Sequence, residues 1–150
     1  MFKRFFQGCL ALFLATTASF APMVQADEVS ATPVSAEQMA QWLPGQWWFD
    51  FAEDDVQMRG VTEYSSDGKV TYTGIVIADD QKVEMKLVGK WQINGHYLKV
   101  EITESNVPEM MPVGLVNQDV IVAIDAEKFS YQNPAGQEFT EKRLPKTSAI

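Results

Sequence analysis

The stretch PGQWWFDF, residues 44–51, decides how the rest of the chain is read. Pro44 and Gly45 end whatever precedes them. From Gln46 onward the pattern has period two: Trp47, Phe49 and Phe51 share one face, while Trp48 takes the other. That alternation predicts a strand with one buried face. Just upstream, SAEQMAQWLPG (35–45) carries a different period. Ser35 is suited to an N-cap, and Gln38, three residues on, completes a capping box. Met39, Trp42 and Leu43 fall at i, i+3 and i+4, so one short amphipathic helix is expected before the first strand.

Downstream the period stays at two. Strands are expected over 56–65 and 69–78, the latter with Val70, Tyr72 and Val76 on one face. The clearest strand carries Val83, Met85, Leu87, Gly89, Trp91 and Ile93 in alternation with polar positions. The next carries His96, Leu98, Val100 and Ile102, and three more are marked by Val120/Val122/Ile124, Phe129/Tyr131 and Phe139/Glu141/Arg143. Asp67-Gly68 and Asn94-Gly95 supply hairpin turns, because both pairs tolerate positive φ. ADDQ, DAEK and NPAGQ are equally short and polar. Short links make sequence neighbours antiparallel neighbours. Eight strands joined this way form an up-and-down meander, and closure into a barrel removes both edges. The expected fold is therefore all-β: an eight-stranded antiparallel barrel with one short N-terminal helix. The inward set is predicted as Tyr72, Val76, Met85, Leu87, Trp91, Leu98, Val100, Val122 and Phe129.

The first 26 residues read as a signal peptide. MFKR is basic, GCLALFLATTASFA is apolar, and VQA before Asp27 is a small-x-small cleavage site. The apolar run is too short for a membrane span. Residues 27–34 read as a tether, 35–145 as the barrel domain and 146–150 as a tail. The single cysteine, Cys9, leaves with the leader, so no disulfide is expected. A periplasmic or secreted location follows. The 150 residues hold 12 Lys and Arg against 20 Asp and Glu, a net charge of −8. Loss of Lys3 and Arg4 with the leader leaves ten basic residues against the same 20 acidic ones, or −10. Such a balance repels phosphate backbones and argues against nucleic acid as a partner.

The order of these elements resembles the lipocalin-like (calycin) superfamily, and most closely its small bacterial members. The phrases LPGQWW, YSSDGKVTY, GKWQINGHYL and QEFTEKRL fall in similar order. The resemblance implies an eight-stranded barrel with a Gly-x-Trp on its first strand and an arginine on its last that packs across the tryptophan. Here those are Gly45, Trp47 and Arg143, expected to close one end of the barrel. The physical reason is general: an indole plugs the end, and a guanidinium stacks on it while donating to backbone carbonyls. The chain departs from the family in its long loop, which is SNVPEMMPVGL (105–115) rather than the link after the first strand.

No catalytic constellation is legible, and an enzyme is not expected. His96 is the only histidine and follows a turn. No serine lies in Gly-x-Ser-x-Gly, and no Gly-rich phosphate loop occurs. Asp50, Glu53, Asp54 and Asp55 lack the spacing of a calcium loop. The methionines with His96 read as packing rather than a copper site, and no metal or cofactor is expected. Glu141, if inward, needs a partner, for which Arg143 and Lys82 are the nearest candidates in pattern. Two readings remain. The first is an exported binding protein of the cell envelope that holds a small hydrophobic molecule such as a fatty acid. Its lining and lid are predicted as Tyr72, Met85, Trp91, Leu98, Val100, Met110 and Met111. The second is a structural or protein-interaction factor of the envelope, with a filled barrel and a protein partner.

Overall fold

The computed structural model describes residues 34–53, 55–78 and 81–145. The segment expected to be a signal peptide, the expected tether apart from Val34, and the expected tail from residue 146 lie outside these. The element order is α1 (Ala36–Trp42), β1 (Gly45–Glu53), β2 (Val56–Tyr64), β3 (Lys69–Ala78), β4 (Gln81–Asn94), β5 (Tyr97–Ser105), β6 (Val116–Ile124), β7 (Lys128–Gln132) and β8 (Glu138–Arg143). The strands close in sequence order into one antiparallel up-and-down barrel. The helix begins as its sequence requires: Ser35 Oγ accepts from Gln38 N at 3.2 Å, and Gln38 Oε1 accepts from Ser35 N at 3.0 Å. Hairpin turns follow the expected chemistry, with Gly68 at φ +85° and Gly95 at φ +62°.

Two cores stack inside the barrel. The lower one gathers Met39 and Leu43 from the helix with Trp47, Tyr64, Val70, Leu98, Ile121, Ile124 and Phe129. The upper one gathers Val76, Met85, Leu87 and Ile102, capped by Val107, Met111 and Leu115 from the 105–115 loop. That loop is pinned to β4. The Asn106 side chain accepts from Lys86 N at 2.7 Å and donates to Glu84 O at 3.0 Å.

Two expectations about facing need correction. Val122, placed inward by alternation, is 52% exposed, as Val120 is outward too. The β6–β7 register shifts between Ile121 and Ala123, so Ile121 and Ile124 become the buried residues. An extra residue in one strand reverses the side of everything beyond it. Trp42 is 42% exposed, and only Met39 and Leu43 carry the helix's buried face.

The lower end is closed around Trp47, which is fully buried. Its Nε1 donates to Leu43 O at 2.8 Å. The Arg143 guanidinium lies 4.0 Å over its ring. Arg143 also donates to Pro44 O at 3.0 Å and to Trp42 O. Three successive carbonyls at the helix end, otherwise without intrahelical partners, are thereby satisfied. The last turn of α1 has no basic residue of its own, and Arg143 supplies the cation there from the far end of the domain. Gly45 permits this approach. It sits at φ +141°, and a Cβ there would lie 2.3 Å from a guanidinium nitrogen of Arg143. Arg143→Ala should cost on the order of 1–3 kcal/mol, lowering the Tm by roughly 5–15 °C for a domain of this size. Thermal unfolding followed by circular dichroism measures this, and an unchanged midpoint would contradict the closing role of Arg143.

Candidate functional site

Between the two cores lies a polar belt on the inner wall. In an antiparallel ladder, directly paired residues share a face, so the register identifies its members. Phe129, in the floor of the lower core, pairs with Glu141. Trp47 pairs with Thr62, and Thr62 with Tyr72. Leu98 pairs with Asp119. Glu141, Thr62, Tyr72, Asp119 and, diagonally, Tyr131 thus look into the barrel just above the indole plug.

Glu141 is the centre of this belt and only 2% exposed. Tyr131 Oη donates to its Oε1 at 3.0 Å. Its Oε2 has no hydrogen-bond partner. The partner is a tyrosine, and neither Arg143 nor Lys82 serves: Arg143 is turned to the helix end and Lys82 is exposed. Tyr72 Oη is the second buried polar atom without a partner. Its ring lies along the inner wall over Gly60 and Gly74, which face each other in register. A Cβ on Gly74 would come within 2.5 Å of the Tyr72 hydroxyl, so the bare backbone is what lets this side chain lie flat.

The electrostatics follow from burial without a cation. Desolvation first, with a smaller push from Asp119, raises the Glu141 carboxyl to about 7 against the lowering pull of hydrogen bonding by Tyr131 and Thr62. Asp119 is itself raised to about 6 by burial. Tyr72 is pushed up to about 12, first by burial and then by the Glu141 charge. Tyr64 and Tyr131 are raised for the same reasons in the same order.

The seven residues expected to line or lid the barrel are divided by the structure. Tyr72, Met85 and Met111 belong with the upper core, and Val100 touches both. Trp91 and Leu98 belong with the lower core, and Trp91 Nε1 donates to Ser65 O at 2.9 Å near the closed end. Met110 is half-buried and is not packed against the upper core. Sequence reasoning missed Thr62, Asp119 and Tyr131 as members of the belt. Their places follow from cross-strand register with Trp47, Leu98 and Phe139, for which the sequence carries no local signal. His96 is exposed, and no group of three metal-ligating side chains occurs among the described residues.

The β1–β8 ladder is short, pairing Trp47 with Arg143 and Trp48 with Lys142. Above it, Phe49, Phe51 and Phe139 interlock across the seam with centroids 5.2–6.2 Å apart. Phe139 also stacks on Tyr131 at 5.5 Å. Glu141 stands two residues above Arg143, where the ladder gives way to these rings. An open groove outside the closed end runs along Gly45, Lys128, Lys142 and Pro145. Its arginine, Arg143, is already engaged by Trp47 and the helix carbonyls.

The closed antiparallel barrel with its leading helix is compatible with a calycin or lipocalin-like fold. No protein-family model matches the chain, and no curated protein matches it either. No helix among the described residues is long and apolar enough to cross a membrane.

Glu141 makes stability fall with rising pH. From the ordinary carboxyl range up to about 7 the folded protein holds a proton that the unfolded chain has released. The stabilisation is complete below that window and is lost as pH rises through it, and Asp119 acts in the same direction over a lower one. Glu141→Gln should remove on the order of 3 kcal/mol of the stability difference between about pH 4.5 and pH 8. Urea unfolding across that range measures it; identical slopes for both proteins would contradict the burial of an unpaired carboxylate.

Proposed function

We propose that the protein is an exported lipocalin-like binding protein of the cell envelope that holds a small, largely apolar molecule inside its barrel. The observation that carries this reading is the pair of unpartnered buried polar atoms, Tyr72 Oη and Glu141 Oε2, in a polar belt set between two apolar cores. Small-molecule sites combine mostly apolar walls with a few convergent polar groups. An interior optimised only for stability gains nothing from buried groups without partners, each of which costs free energy. The methionine-bearing loop suits a lid, because Met111 is unbranched and adapts to what it covers. The basic start, apolar segment and VQA site of residues 1–26 support export. No catalytic role is assigned to any residue.

A second reading rests on the outer wall. Val116, Val120 and Val122 lie exposed on β6, with Tyr97 exposed beside Val120. An apolar strip of this kind suits a protein partner in the envelope.

Native mass spectrometry of the protein isolated from its own compartment separates the two. A bound small molecule is expected, and Tyr72→Ala and Met85→Ala should each reduce its occupancy. A bare polypeptide mass, with no uptake from apolar probes added afterwards, would overturn the binding reading and leave the outer strip as the functional surface.

A further inference from the structure

The belt above the indole plug has a sign as well as a position. Its charged members, Glu141 on β8 and Asp119 on β6, are both acids. The other titratable groups facing Glu141 are the tyrosines Tyr64 on β2, Tyr72 on β3 and Tyr131 on β7. The buried inner positions of β4 and β5 are Met85, Leu87, Leu98 and Ile102, which titrate nothing. β1 contributes Trp47 and Phe49. No cation faces the belt from the described residues, and the one guanidinium nearby donates to the carbonyls of Trp42 and Pro44 instead.

We infer that the belt recognises the cationic head of an organic amine, whose N–H groups meet the free lone pairs of Glu141 Oε2 and Tyr72 Oη while its hydrocarbon part lies among the apolar walls. The inference rests on the binding function proposed above and names its ligand class. A carboxylate oxygen with no donor is the natural acceptor for an ammonium, and such charge-assisted bonds are the strong ones. Aromatic faces add to this. Tyr131 holds Glu141 from one side and stacks on Phe139, which packs in turn on Phe49. Rings grouped around an acid suit an alkylammonium, which the ring quadrupole attracts. A fatty acid fits poorly: its carboxylate would meet two acids and no donor cation. The overall charge of −8 also draws cations toward the protein before they enter.

Isothermal titration with three chain-matched probes below their micelle concentrations tests the inference: decylammonium, decanol and decanoate. Decylammonium should bind about tenfold or more tightly than decanoate. Glu141→Gln keeps the shape and removes the charge. It should weaken decylammonium by about tenfold and leave decanol nearly unchanged. Tyr72→Phe should weaken decylammonium by a smaller factor. Lowering the pH through the Glu141 titration should weaken decylammonium and leave decanol unaffected. Decanoate binding as tightly as decylammonium, or a Glu141→Gln variant with the original ranking, would overturn the amine assignment while leaving a binding function intact. Failure of all three probes to bind would overturn both. The ranking on the unmodified protein needs no variant to fold.

Discussion

Three backbone carbonyls at the end of a seven-residue helix govern this barrel. A helix so short has little stability of its own, and its last carbonyls have no partners within it. Here the indole of Trp47 answers Leu43, and the guanidinium of Arg143 answers Trp42 and Pro44. The arginine lies about a hundred residues away in sequence, on the last strand. One set of bonds therefore ends the helix, plugs the barrel and joins the first strand to the eighth. The β1–β8 ladder itself has two residue pairs, so the clamp replaces hydrogen bonds that the seam lacks higher up. Above it, three phenylalanines hold the strands together without directional bonds.

Closure at the bottom gives the belt above it a defined place. Trp47 and Phe129, 5.7 Å apart, form a floor that excludes water. Glu141 stands on that floor, paired across the ladder with Phe129. An acid in such surroundings loses hydration that the hydroxyls of Tyr131 and Thr62 do not fully replace. The interior thus combines a stable lower half with a half-satisfied polar layer and a loop-covered upper half. Unsatisfied buried groups of this kind are where natural proteins depart from the most stable arrangement, and such departures concentrate at sites of function.

Much of the architecture was readable because its signals are local or strongly periodic. The capping box of Ser35 and Gln38, the turn glycines Gly68 and Gly95, and the alternation through β3 and β4 each declare themselves within a few residues. Trp47 and Arg143 could be paired through their resemblance to a known barrel, although nothing local links them. The belt was harder. The bulge after Ile121 turns Val122 outward, and no residue in VIVAI marks it, since all five are apolar. Asp119 sits at an inner position only because Leu98 lies opposite it, a register that sequence does not fix. Glu141 was visible as an acid on an inner face, yet its partner Tyr131 belongs to the neighbouring strand. The flat pose of Tyr72 depends on Gly60 and Gly74 meeting across two strands, which is a property of the pairing and not of either segment.

The claim that one clamp ties the helix and both terminal strands together is tested most directly by native-state hydrogen exchange in Arg143→Ala. The informative amides are Leu43, bonded to Met39, and Leu144, bonded to Gln46 across the seam. Protection should fall at these two positions and along the first residues of β1, while the β3–β4 ladder, from Lys69 with Lys90 to Ala78 with Gln81, keeps its protection. Loss spread evenly over all eight strands, or no loss at Leu43 and Leu144, would contradict it.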